Sequence, residues 1–191
     1  MKWLWRHLQW QVAFRAIQNQ IFSSTLDKIL PMKLLPALLL MLSSLTAIAQ
    51  EDQKVMEPIN LLFEGMKKGD SAMVHSAFRP APTFYTVSVD SKTNQPVLKV
   101  DRFIDFLKAI GTPHKDVWNE VIWSPKIEVD GNFAQVWAPY AFYANKTFSH
   151  CGVDAFHLFK DGSGKWKIFH LADTRQVAGC IVPESISSQF K

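Results

Sequence analysis

"SHCGVDAFHLFKDGSGKWKIFHLADTR" runs from Ser149 to Arg175. Two alternating, aromatic-rich segments flank the turn residues Asp161–Gly164, the pattern of a β-hairpin. Pairing Lys160 with Lys165 assigns every side chain to a face. One face then carries His150, Gly152, Asp154, Phe156 and Leu158. Opposite them stand Arg175, Asp173, Leu171, Phe169 and Lys167. His150, Asp154, Asp173 and Arg175 collect at one end, and the apolar residues fill the other. Such a surface suits a pocket with an apolar floor and a few placed polar groups at its mouth. Solvated strand ends and a surface Asp–Arg pair are the plainer reading of the same residues. The other face carries His157 and His170 on a diagonal. Two histidines fall short of the three or four ligands of a metal site, so no metal is expected.

Working outward, the chain before the hairpin is β-rich. Asp130-Gly131 is a tight-turn signal between Val117–Val129 and Phe133–Ala144. The first of these is expected as one strand with a bulge at Pro125, which cannot donate to a ladder. Thr83–Asp90 and a short Val97–Val100 segment form a smaller pair. Aromatics crowd the meander: Trp118, Trp123, Trp137, Tyr140, Phe142 and Tyr143. They suit a core, a dimer interface or a stacking platform for a flat ligand.

Further upstream the apolar period changes to 3.6. Ile59, Leu62, Phe63 and Met66 share a helical face. Gly69 suits a helix end and Asp70 the N-cap of a short second helix. Asp101–Gly111 is a third helix, with Asp101 expected as its N-cap. The order is helix, helix, two short strands, helix, then four long strands. That is an α+β class with helices on one side of a curved antiparallel sheet.

This order resembles the NTF2-like superfamily, also known as SnoaL-like or ketosteroid-isomerase-like. The run Phe148–Lys160, then Gly164–Arg175 and Cys180 is similar to an exported bacterial branch that carries a lumazine-binding label. The superfamily likeness covers about residues 51 to 178. It implies a cone-shaped barrel with a pocket between helices and sheet, often a homodimer. Functions within it range from isomerase and dehydratase to plain ligand binding, and fold does not choose among them.

The first 49 residues read as a leader. "MKLLPALLLMLSSLTAIAQ" from Met32 has a basic start, an apolar run and an Ala47-Ile48-Ala49 cleavage pattern, the three parts of a secretory signal. The apolar run is shorter than the ~20 residues of a transmembrane helix. Residues 1–31 are read as an upstream extension from an early assigned start; an amphipathic membrane-surface helix is the alternative. The expected organisation is extension 1–31, signal 32–49, NTF2-like domain 50–180 and flexible tail 181–191. A periplasmic or secreted location follows, with no stable membrane span after cleavage.

The chain carries 21 basic and 17 acidic residues, net +4. Five of the bases (Lys2, Arg6, Arg15, Lys28, Lys33) and one acid (Asp27) precede Gln50, which leaves sixteen of each. The domain is near neutral, so the overall charge is no argument for nucleic-acid binding. Its only two cysteines, Cys151 and Cys180, read first as a disulfide in an exported protein, with two separate thiols as the alternative.

No nucleophile elbow, phosphate loop, dinucleotide fingerprint or zinc-protease motif is present. The expected function is binding of an unidentified small, partly apolar molecule, with no cofactor. The expected ligand-binding residues are His150, Asp154, Phe156, Phe169, Asp173, Arg175, Tyr85 and Tyr140. One alternative is an isomerase or dehydratase using a carboxylate or His base. Asp173, Asp154 and His150 would be its candidate bases, and Tyr85, Tyr140 and Arg175 its donors. Another is a dimeric accessory protein. A homodimer is expected in either case.

Overall fold

The computed structural model describes the backbone from Leu35 to Lys191 and side chains from Ala49 onward. The extension 1–31 and the side-chain pattern of the signal segment lie outside the described residues. The chain divides at Gln50, and the unit Glu51–Lys191 carries the fold.

Helix α1 spans Leu35–Lys68. Val55, Ile59, Leu62 and Met66 lie along one stripe and are all buried, as a helix packed on a core requires. Gly69, at φ 67°, ends it. The Gly69 N–H donates to the Met66 carbonyl and the Asp70 N–H to Gly65, a left-handed Schellman stop. Asp70 then caps α2, Ser71–Ala77, through a 2.9 Å bond from the Met73 N–H. Helix α3 spans Phe103–Gly111. Its expected cap, Asp101, instead ends the preceding strand. Arg102 holds the N-cap position and makes no side-chain cap bond.

The strands are β1 Phe78–Val89, β2 Pro96–Asp101, β3 Trp118–Ile122, β4 Lys126–Asp130, β5 Phe133–Ala144, β6 Thr147–Lys160 and β7 Trp166–Arg175. They form one sheet in the order β2-β1-β7-β6-β5-β3, with β4 also on β5. All ladders are antiparallel except β1 with β7. The sheet is therefore mixed rather than purely antiparallel: the first and last strands meet side by side. The stretch 117–129 is not one bulged strand: it divides into β3 and β4 around Trp123–Pro125, where Ser124 takes φ 45°.

The β6–β7 register differs from the simple hairpin. Near the turn Lys160 pairs with Trp166 and Leu158 with Ile168; beyond a bulge His157 pairs with His170 and Asp154 with Asp173. The extra residue, Phe169, is set outside the ladder. Phe156, Leu158, Trp166 and Ile168 enter the core with α1, Phe84 and Val136. Trp166 also donates from Nε1 to Glu51 Oε1 at 2.9 Å, and Lys160 pairs with the same carboxylate. The start of the folded unit is thereby tied to the last hairpin.

Cys151 and Cys180 form a disulfide with Cα atoms 6.0 Å apart. The expected tail carries a helical turn, α4 Glu184–Ser187, and a 3-10 turn Ser188–Phe190. Phe190 stacks on Tyr143 with centroids 3.9 Å apart. Among the described residues no helix is long and apolar enough to cross a membrane.

Candidate functional site

A cavity of about 620 Å³ opens between α1, α3 and the concave face of the sheet. Its walls are mostly apolar. Leu62 and Met66 come from α1, Phe106 from α3, and Phe84, Phe142 and Leu171 from the strands. The polar groups converge from four neighbouring strands: Glu120 on β3, Tyr140 on β5, His150 and Asp154 on β6, and Asp173 and Arg175 on β7. The period-2 geometry of a strand explains this gathering. Asp154 and Asp173 are direct cross-strand partners, and Ala138, opposite Asp154 on β5, leaves room beside them.

Asp173 is the hub. The Thr86 hydroxyl donates to Oδ1 at 2.5 Å and the Tyr140 hydroxyl reaches Oδ2 at 3.1 Å. Arg175 approaches Oδ2 at 3.4 Å through both Nε and Nη2. Thr86 is the parallel partner of Asp173 across β1 and β7. It is 6% exposed, and its hydroxyl's other acceptor, Asp101 Oδ2, is farther away at 3.5 Å. The Tyr140 hydroxyl also lies 3.1 Å from the Thr174 carbonyl. Burial raises the Tyr140 phenol, and Asp173, Glu120 and Asp154 around it add to that.

Asp154 is 2% exposed, and its Oδ2 has no hydrogen-bond partner among the described residues. Burial pushes its carboxyl well above the usual range, and the nearby Glu120 carboxyl pushes it further. Glu120 keeps partial access to the cavity. Burial pushes it up to about 7, and the neighbouring Asp173 charge adds to the rise. The charges of the two neighbouring carboxyls oppose joint ionisation, so one of them keeps its proton. His150 stacks on Phe142 with centroids 4.9 Å apart and meets Ser149 Oγ through Nδ1 at 2.9 Å. Burial lowers it to about 4, with the Arg175 charge contributing. His150 is a neutral ring at physiological pH.

Six of the eight expected residues border the cavity: Tyr85, Tyr140, His150, Asp154, Asp173 and Arg175. Tyr85 does so by its place on β1; its ring lies against His170, centroids 5.6 Å apart. Phe156 is fully buried in the core and does not line the cavity. Phe169 is turned out by the bulge and lies near Phe133 and His157. His150 and Arg175 do not face each other as a carboxylate clamp, since the register slides by two residues. Among the described residues His150 makes no hydrogen bond to an Asp; its Nδ1 meets Ser149 Oγ. His157 and His170 are direct partners with stacked rings, 5.1 Å between centroids. Among the described residues no cluster of three or more His, Cys, Asp or Glu is placed to hold a metal ion.

Glu120 was missed in the sequence. The signal is nonetheless there. In "WNEVI" the inward phase is Trp118, Glu120 and Ile122. Both flanking residues pack on the core, so an acid in that phase is directed inward.

A helix-backed, curved α+β sheet with an open, polar-lined cavity defines a class of small cone-shaped domains. The chain has the NTF2-like fold. It is similar to an NTF2-like protein of unknown function from Shewanella baltica, at TM-score 0.51 and 22% identity over 68% of this chain and 97% of that one. A protein of unknown function from Mycobacterium tuberculosis matches at 0.56 and 11%, covering 75% and 86%. An NTF2-like protein with a cystatin-like fold from Novosphingobium aromaticivorans matches at 0.54 and 10%, covering 73% and 90%. None of these three is named a lumazine-binding protein. No family model matches the chain, and no curated protein matches it.

Proposed function

We propose that the cone is a binding site for a small, largely apolar molecule whose polar head is uncharged or cationic. The single supporting observation is the cavity itself. About 620 Å³ of mostly apolar space ends on the Asp173, Glu120 and Asp154 carboxyls, a composition suited to orienting one amphipathic ligand. An anionic head is disfavoured. His150 is neutral, and Arg175 is already paired with Asp173.

The test is a thermal-shift screen of small apolar alcohols, ketones and amines, repeated on Leu171→Trp, which fills the cavity wall. Hits should be lost on that variant while its own melting temperature stays near the parent's. If no compound stabilises the parent, or hits survive the filling, the reading is abandoned.

A second reading rests on Glu120. A carboxyl near 7 in an apolar cavity, beside a phenol donor, is matched to proton transfer at neutral pH. On this reading the protein isomerises or dehydrates its ligand. Conversion of a β,γ-unsaturated cyclic ketone, followed by ultraviolet absorbance, should then be lost in Glu120→Gln and Asp173→Asn. Turnover retained in both variants excludes it.

Export to the periplasm or exterior belongs to this proposal and is supported by the disulfide, which suits an oxidising compartment. Mass spectrometry of the natural product should show cleavage after Ala49. A homodimer is likewise proposed, and sedimentation of the purified protein tests it.

A further inference from the structure

Among the polar groups of the cavity, one pair of acids makes no direct ion pair among the described residues. Arg175 approaches Asp173 from β7, and Tyr140 reaches the same carboxylate from β5. Glu120 and Asp154 have no basic partner within ion-pair distance among the described residues. Asp154 Oδ2 is buried with no hydrogen-bond partner among the described residues. A buried polar atom left open costs about 1–3 kcal/mol unless something satisfies it. Arg175 acts on the pair only at longer range, and among the described residues the remaining elements bring no cation into ion-pair distance. Helix α1 presents Leu62 and Met66, and β6 adds the neutral His150. At the mouth β2 brings Asp101, and α3 brings Asp105 with Arg102 beside it at 3.7 Å. The mouth therefore carries a surplus of acid.

Resting on the binding-cavity reading, we infer that the natural ligand is an organic amine, whose ammonium head sits between Glu120 and Asp154 and satisfies Asp154 Oδ2. The apolar walls take its carbon skeleton. An ammonium has three N–H donors and no acceptor, which suits two carboxylates and the Tyr140 oxygen. Without a cation beside them, one of the two carboxyls keeps its proton, because their charges oppose joint ionisation. The arriving cation replaces it, and that proton passes to solvent, so the charge in the cavity balances. Binding must then strengthen as pH rises through neutrality. A ketone or alcohol accepting a bond from the same protonated pair would show the opposite trend, because it needs the proton kept.

Isothermal titration of the full chain with 2-phenylethylamine, 2-phenylethanol and 3-phenylpropanoate separates these cases. The three probes are similar in size and differ in the charge of the head. The amine should bind tightest, gain up to ~10-fold in affinity per pH unit between pH 6 and 8, and release about one proton. Proton release is read from the buffer dependence of the heat. Asp154→Asn and, in a second protein, Glu120→Gln should each remove the pH slope and the proton release, so a folding failure in one leaves the other to decide. Tighter binding of the alcohol overturns the inference and leaves the binding-cavity reading standing, whereas tighter binding of the carboxylate overturns both the inference and the uncharged-or-cationic head. Amine binding without proton release overturns it as well. Binding of none of the three overturns the inference and the cavity reading together.

Discussion

A Cβ built on Gly152 would lie 1.7 Å from the Thr174 carbonyl oxygen. The backbone of β7 leans onto β6 at that point. The ordinary ladder lapses there: the Val153 N–H bonds to Thr174 Oγ1 at 2.9 Å, and the Thr174 carbonyl accepts from Tyr140. The Thr174 carbonyl that meets the Tyr140 hydroxyl of the site is thus placed by the absence of one side chain. Gly152→Ala must push β7 away or fail to fold. The expected loss is on the order of 3 kcal/mol, at the upper end for overpacking. Urea unfolding of the variant measures it, and a change below ~1 kcal/mol would contradict the close approach.

The sequence carries the local elements but not their junctions. The stop at Gly69 and the cap at Asp70 are written in two residues and are found as expected. The gathering of Asp154, Asp173 and Arg175 follows from strand alternation alone. The bulge that expels Phe169 does not, because a bulge depends on how two strands fit the twist of the whole sheet. The cap at Asp101 fails for a related reason. Pairing with Phe84 holds Asp101 in β2, and tertiary pairing outweighs a capping preference worth ~1 kcal/mol. The approach of Glu120 to Asp154 spans 34 positions in sequence and two ladders, through β5. No local pattern encodes that distance.

Tyr140→Phe keeps the ring and removes one donor. The Thr174 carbonyl loses that donor, and Asp173 retains Thr86 and Arg175. The expected destabilisation is about 1–2 kcal/mol, the usual penalty for stranding a buried acceptor. Thr86→Val, on the other side of Asp173, should cost a similar amount. Because both act on one carboxylate, the double variant should depart from additivity by ~0.5 kcal/mol or more. Strict additivity in the double-mutant cycle would show that Asp173 does not couple them.

The disulfide fastens the segment that follows β7 back to β6. It closes a separation of 29 residues, which in the chain-entropy account is worth about 3.5 kcal/mol. Reduction, or the pair Cys151→Ala with Cys180→Ala, should lower the melting temperature by roughly 10 °C, given ~2–4 °C per kcal/mol for a chain of this size. Melting curves with and without reductant test this. An unchanged midpoint would mean that the Tyr143–Phe190 stack and the hairpin hold the segment unaided.

Two groups in the cavity respond to pH in opposite senses. Burial raises Glu120 from its ordinary 4.5 to about 7. A carboxyl raised on folding contributes fully below its unfolded value, and that contribution is lost as pH rises towards 7. Burial lowers His150 from 6.5 to about 4. A base lowered on folding contributes fully above 6.5 and loses that as pH falls through 4. Each effect is on the order of 3 kcal/mol at 1.36 kcal/mol per pKa unit. Asp154, also raised by burial, adds to the alkaline loss, and Glu120→Gln removes the share of that rise that Glu120 causes. Glu120→Gln should therefore gain on the parent by ~3 kcal/mol between pH 4.5 and 7. His150→Gln should fall behind the parent by a similar amount between pH 4 and 6.5. Urea unfolding at half-unit pH steps resolves both. Variant curves that run parallel to the parent's would show that neither group is held out of water as the cavity places it.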